Sequence, residues 1–410
     1  MRITVVEFAG RGGLIHYAFQ LCRALQAGGA EVTLVTDHHY ELEALPHSFR
    51  LERRLRLWDP KPTGAVPASR AAALLRRLRR GVRALLYYRE WYRLLRYLRR
   101  ERPDIVQFGD IRFPTDAAGL CLLRLLGLRL ADVCHNVFPF AASRGLVRGS
   151  GLVRWLFAAV YRQFELVFVH FEVNRRAFLE AYRLPPSRVA VIPHGNERLF
   201  EELRDPALTA AHLRSGLGLG LEDRVVLFLG TLSRYKGTEL LLEAFARVRP
   251  REPRARLVLA GFPAADFDWP AHQALARRLE LEASVRYHLA YVDSSAIAAW
   301  MQMAAVAVFP YRAVYQSGAL HVAQTFGVPI VAAAVGAMPE VIEDERSGLL
   351  VPPENPEALA AALARVLADP ALAARLGRQA REDALGPFSW EGVATVMLER
   401  YRRLLDQATA

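Results

Sequence analysis

Twice along its 410 residues the chain sets short β-branched runs against amphipathic stretches in regular alternation. The first series runs through residues 3–8, a helical stretch over 15–27, then 31–36, 104–108, 130–135, 166–170 and 189–193. A second begins at 224–230 and continues through 256–261, 285–291, 306–310, 329–333 and 348–351. Short apolar strands separated by helices are the pattern of parallel sheets covered on both faces, so the chain reads as α/β. Residues 199–223, rich in Gly and Leu and less periodic, are expected to link the two halves. Two doubly wound sheets in tandem place the carboxyl ends of both strand sets on either side of one cleft, a natural ligand site.

Charge divides along the same line. Of 54 Lys+Arg and 42 Asp+Glu, residues 1–200 hold 32 and 17, leaving 22 and 25 for residues 201–410. Within the basic half, residues 69–102 carry 12 arginines against Glu90 and Glu101. Arginines at 76, 80 and 83, then at 89, 93, 96 and 100, recur at three or four residues. Leu78, Val82, Leu85, Trp91, Leu94 and Leu98 form another face, which predicts a basic amphipathic hairpin or helix pair interrupted at Gly81. Such a surface fits anionic lipid headgroups, or alternatively an ordinary solvated face over core. A nucleic-acid role would demand steep salt dependence, and no base-reading module accompanies the arginines.

Residues 1–6 enter a strand pattern directly rather than a secretory signal, and no apolar run approaches the roughly 18 residues of a membrane span. Cys22, Cys121 and Cys134 are odd in number and lack metal or redox spacing. The expectation is a cytoplasmic protein without a metal site or disulfides, possible contact with the inner membrane face being through 69–102.

Two glycine-bearing turns mark the cleft. Gly10-Arg-Gly12-Gly13 follows the first strand and precedes a helix, where backbone N–H groups can approach a phosphate or sugar, though a ligand-free tight turn reads the same. Asp37 would suit a dinucleotide's ribose, but Ile15 stands where the third glycine of that fingerprint belongs. In the second half, Gly230-Thr-Leu-Ser-Arg234-Tyr-Lys236-Gly237 delivers an arginine and one of only two lysines, the other being Lys61, before a helix. Two cations at a helix start suit a diphosphate, Arg as a fork and Lys as a point charge.

These stretches, with Ile192-Pro-His-Gly195, Ala323-Gln-Thr-Phe-Gly327-Val-Pro329, Gly336-Ala-Met-Pro339-Glu340, Ser347-Gly-Leu-Leu-Val-Pro352 and Phe388-Ser-Trp-Glu391, resemble the retaining nucleotide-sugar-dependent glycosyltransferases of family four. The resemblance implies the GT-B fold: an acceptor-side Rossmann-like domain over 1–200, a nucleotide-sugar domain over 201–385, and a terminal helix over 386–410 that crosses back. It implies that Lys236 binds the donor diphosphate, with Arg234 replacing an arginine usual at the position of Thr231. His135, at a strand end, corresponds to a histidine that reaches the donor sugar. Gly12, Gly13 and Gly230 correspond to donor-side turns. His16, Asp110 and Arg112 fall on the acceptor side.

One departure stands out. The family's two glutamates, eight positions apart, align with Val314 and Val322. In their place Gln316-Ser317-Gly318-Ala319 opens a helix whose amides can meet sugar hydroxyls or phosphate oxygens, a pattern resembling one bacterial branch, and Glu340 can take some of the polar work. The activity implied is hexosyl transfer with retention onto an acceptor hydroxyl, sugar or lipid-linked, with no cofactor or metal beyond the donor. Alternatives on the same fold are an epimerase, a phosphorylase or an inactive sugar-nucleotide-binding protein.

Overall fold

The computed structural model describes residues 1–56, 70–109, 111, 113–138 and 151–407, residues 70–81 as backbone only. Its first half consists of β1 (Arg2–Val6), α1 (Gly13–Ala27), β2 (Glu31–Asp37), β3 (Arg50–Leu55), α2 (Arg70–Glu101), β4 (Ile105–Phe108), α3 (Asp116–Leu125), β5 (Leu130–Cys134), α4 (Gly151–Tyr161), β6 (Leu166–His170), α5 (Glu172–Tyr182) and β7 (Val189–Ile192). The strands form one parallel sheet in the order β3-β2-β1-β4-β5-β6-β7. β4, β5 and β6 are buried at every position, which is why they read as short, mostly apolar runs, each with one buried polar residue: Gln107, Asp132 and His170. β3 escaped the sequence reading because its Arg-Leu-Glu-Arg-Arg-Leu is charged. As an edge strand it keeps Arg53 and Arg54 exposed, and such charges discourage pairing with another chain.

The second half adds α6 (Leu199–Glu202), α7 (Ala210–Gly216), β8 (Arg224–Leu229), α8 (Thr238–Val248), β9 (Ala255–Ala260), α9 (Trp269–Arg278), β10 (Val285–His288), α10 (Ile297–Met303), β11 (Ala304–Phe309), α11 (Gly318–Thr325), β12 (Ile330–Ala333), α12 (Met338–Val341), β13 (Leu349–Val351), α13 (Pro356–Ala368), α14 (Pro370–Leu385) and α15 (Trp390–Asp406). Its six parallel strands run β10-β9-β8-β11-β12-β13. In both sheets the strand order reverses beside the first strand of the half, β1 or β8, and that reversal opens the crevice where ligands bind. The two glycine turns follow these same two strands.

Two expectations change here. Residues 199–223 hold two short helices, and Leu213, Leu217 and Leu219 pack on the core of the second half. The basic segment is one 32-residue helix rather than a hairpin. A single mid-helix glycine costs about 1 kcal/mol, and the buried Trp91, Leu94 and Leu98 hold the helix against the sheet.

α15 crosses back onto the first half. Ser389 caps it by accepting from the Gly392 N–H, and Val393, Met397, Leu398 and Tyr401 enter the same core as Ile15, Phe19 and Leu25 of α1. With the sheet on one side and α15 on another, α1 is buried continuously from Ile15 to Cys22. Polar residues of α1 are therefore forced to find partners inside the protein.

Candidate active site

A cavity of about 270 Å³ lies between the two halves, lined from the first by Gly13, His16 and Glu197 and from the second by Gly230, Thr231 and Gly318. A larger hollow of about 810 Å³, lined by Gln20, Arg23, Trp390 and Arg402 among others, borders α1 and α15 but holds neither glycine turn nor the diphosphate cations. The cavity at the crevice takes Gly13 from the first glycine turn, Gly230 from the second and Gly318 from the start of α11, while Arg234 and Lys236 lie outside its lining.

The turn after β1 builds its first-half wall. Gly12 adopts φ 85, a left-handed value that favours glycine, and its N–H donates to Glu41 Oε1 at 2.6 Å. His16 Nε2 lies 2.6 Å from the same oxygen and 3.5 Å from Ser294 Oγ of the second half. Burial works to raise the Glu41 carboxyl, but hydrogen bonds from His16 and the Gly12 amide outweigh it and hold it below the usual range. The Gly12 amide is thus occupied within the protein, while a Cβ at Gly13 would meet only open space.

On the other wall, residues 234–236 form a single 3₁₀ turn before α8. Gly237 follows at φ 67, and a Cβ there would collide with the Pro310 carbonyl. Arg234 is exposed, and its guanidinium makes no hydrogen bond or ion pair among the described residues. Lys236 is only 9% exposed. Its ammonium sits 3.8 Å from the centroid of the Tyr311 ring and 5.3 Å from that of Tyr235, with no carboxylate in ion-pair range among the described residues. Burial pushes its pKa down, opposed by Tyr235. The Tyr311 hydroxyl lies 3.3 Å from Ser317 Oγ, and that oxygen caps α11 by accepting from the Leu320 N–H. One tyrosine thus joins the buried cation to the start of α11. Gln316 Oε1 beside it is buried without a partner. Val322 lines the cavity and Val314 is buried outside its lining, so neither position where the resemblance expects an acid supplies one.

His135 follows β5 and is absent from the cavity's lining. Its Nδ1 is 3.2 Å from His170 Nε2, and its ring meets Tyr17 edge-on at 4.5 Å. His194 stacks on His321 of the second half at 4.5 Å. The cluster is not legible in the sequence: His170 and His321 are lone histidines, and His194 stands there only as part of Ile192-Pro-His-Gly195, each brought in by a different strand end or helix. Burial, with His194 nearby, lowers His135 to about 3; burial also lowers His194 to about 4. Nitrogens of His135, His170 and His194 lie within 4.8 Å of one another, the one group of three candidate metal ligands among the described residues. Neutral imidazoles are the ligating form, but two of these nitrogens already share a hydrogen bond.

Glu340, expected at the donor, has both carboxylate oxygens engaged across the cleft. They accept from the Glu172 and Val173 N–H groups at 2.7 Å each, at the start of α5. Asp110 and Arg112 lie outside the described residues. Glu197 lies two residues beyond the glycine of Ile192-Pro-His-Gly195, outside every motif of the sequence, yet its carboxyl lines the cavity. An acid directly after that turn was the available signal.

With this geometry in view, residues 11–196 match the family model described as Glycosyltransferase Family 4, and residues 223–369 match Glycosyl transferases group 1. The chain belongs to the family-four glycosyltransferases and has the GT-B fold. A D-inositol 3-phosphate glycosyltransferase of Corynebacterium glutamicum is 30% identical over 241 residues, covering 58% of this chain and 57% of that protein. One from Kribbella flavida is 34% identical over 236 residues, covering 56% and 54%. The chain thus matches just over half the length of these curated relatives. Sucrose-phosphate synthase from Thermosynechococcus elongatus superposes with TM-score 0.69 at 22% identity, over 99% of both chains. Anabaena HepE in complex with UDP-glucose superposes with TM-score 0.67 at 18% identity, covering 99% of this chain and 100% of that one.

Proposed function

We propose that the protein transfers a hexosyl group from a nucleoside-diphosphate sugar to an acceptor hydroxyl, with retention and without a metal, in the assembly of a polysaccharide, glycolipid or glycoconjugate. The observation that carries this reading is Lys236: a buried ammonium resting on tyrosine faces without an acidic partner is costly until an anion reaches it. A diphosphate entering beside Gly230 supplies that anion, and the unpaired Arg234 adds a second cation. As the anomeric carbon–oxygen bond to phosphate breaks, these cations and the α11 amides stabilise the departing charge. The acceptor oxygen bonds to the anomeric carbon from the same face, and its proton passes to the departing phosphate oxygen. His135, packed edge-on against Tyr17 outside the cavity's lining, serves in this reading as a packing residue behind α1.

UDP-glucose is the first donor to test, since the Anabaena neighbour is described with it. Calorimetric titration in the presence of a chelator is expected to show binding by the wild type and a loss of tenfold or more in Lys236→Ala. No binding of any uridine or guanosine diphosphate sugar, or an unchanged affinity in the variant, refutes the reading. Product analysis by NMR reads the anomeric configuration directly. We further place the acceptor domain against an anionic membrane. α2 exposes Leu85, Tyr88 and Tyr92 among its arginines, while Leu125, Leu152 and Trp155 are exposed on α3 and α4.

A further inference from the structure

Val322 is apolar wall and Val314 is buried outside the lining, so the cavity lacks the acids its family relatives usually bring from the second half, yet a carboxyl reaches it from elsewhere. Glu197 lines the cavity together with His16, Gly13, Gly318 and Ala319. Its residue is 7% exposed, and among the described residues its carboxyl has one hydrogen-bond partner, the Gln20 amide, 3.3 Å from Oε2. The other oxygen faces the start of α11: a Cβ placed on Gly318 would stand at ordinary contact distance, 4.0 Å, from Oε1. Glu197 is also fixed from several directions. Its N–H donates to Thr325 Oγ1 at 3.0 Å. The preceding Asn196 carbonyl accepts from Trp390 Nε1 at 2.8 Å, and Gly195, at φ 91, lies so close under the same indole that a Cβ would be 2.6 Å from it. Gln20 Oε1 accepts from that indole as well, so the amide orientation that donates to Glu197 is set by the crossing helix.

Resting on the function proposed above, we propose that Glu197 binds a hydroxyl of the donor's hexosyl group, taking over from the first-half side the polar contact that Val314 and Val322 cannot make. Burial raises the carboxyl to about 8, with the Gln20 hydrogen bond opposing, so near neutral pH it carries a proton and can donate as well as accept. A rigid, water-poor carboxyl opposite helix-start amides is the kind of preorganised group that distinguishes a hexosyl diphosphate from the bare diphosphate.

The test compares UDP with UDP-glucose, or GDP with GDP-mannose if the wild type binds the guanosine pair, on the full chain by calorimetry. Glu197→Ala is expected to weaken the sugar nucleotide about tenfold or more while leaving the bare diphosphate unchanged, which also shows the variant folded. Glu197→Gln, which keeps the shape and both hydrogen-bonding senses but not the titration, is expected to retain part of the sugar preference and lose its change with pH between 6 and 9. Lys236→Ala should weaken both ligands together. An unchanged ratio of the two affinities in Glu197→Ala overturns this inference while the proposed function stands. An equal loss of both ligands makes Glu197 merely structural and overturns it too. Failure of the wild type to bind either pair removes the function and this inference with it.

Discussion

Glu197 and the histidines around Tyr17 are ionisable groups shut away from water, and burial drives each toward its neutral form from opposite sides. For Glu197 the folded pKa of about 8 lies above the ordinary 4.5. Below 4.5 folded and unfolded chains both hold the proton. Between 4.5 and 8 the unfolded chain releases it and the folded chain does not, so this group's contribution is lost as pH rises, by up to about 1.4 kcal/mol per pH unit. Glu197→Gln removes that slope. In the absence of donor the variant is expected to melt higher than wild type at pH 8, with the difference shrinking toward pH 5. Melting curves that stay parallel across that range would contradict the buried neutral carboxyl. The histidines act in the other direction: with His135 near 3 and His194 near 4 against 6.5, their contribution is present above pH 6.5 and lost as pH falls. A site that spends stability on a trapped acid while its binding residues stay poised is the usual exchange between stability and function.

At the scale of elements, the parallel strands other than the charged edge strand β3 are legible because burial on both faces leaves a mostly apolar signature, and both glycine turns are legible because they follow such strands. What escaped depends on distance in the chain. Glu340 looked like a donor ligand because it opens α12 beside the second-half crevice, and nothing local tells that its carboxylate meets α5, 168 residues earlier. There it accepts the first N–H groups of an 11-residue helix, where the helix dipole favours a negative charge. Asn174 of the same helix donates to the Tyr315 carbonyl at 3.1 Å, so α5 holds the second half at two points. Glu340→Ala is expected to loosen domain closure. At an exposed position the two bonds together contribute about 1–2 kcal/mol, enough to raise the donor KM several-fold with kcat less affected. Small-angle scattering should show a larger radius of gyration for the variant without donor. An unchanged radius and an unchanged KM would mean that closure is held by other contacts.

For the whole molecule, the uneven charge of the two halves acquires a position. The second half carries the buried lysine and the glycine turn that suit a soluble anionic donor, and the first half presents the basic helix on a different surface. Part of that charge is spent internally. Glu90, fully buried, draws Arg89 to 3.0 Å and Arg93 to 3.4 Å, and Glu101 pairs with Arg50 at 3.0 Å. Arg54, itself paired with Glu52 at 2.6 Å, and the paired Arg93 line one hollow of about 430 Å³ together with Arg96, Arg100, Tyr92 and Tyr97. No helix among the described residues is long and apolar enough to cross a membrane. Near an anionic bilayer each arginine contributes about 1 kcal/mol, added to the burial of exposed side chains such as Leu85 and Trp155. Charge alone would give binding that salt abolishes. Charge with apolar insertion leaves a residue of binding at high salt. Flotation with vesicles of mixed phosphatidylcholine and phosphatidylserine is therefore expected to recover the wild type at low salt and a fraction of it at 0.5 M salt. Replacing Arg93, Arg96 and Arg100 together by Glu should cut recovery at least tenfold while donor binding is retained, because none of the three lines the cavity between the domains. Undiminished flotation of that variant would return the arginines to an ordinary solvated face.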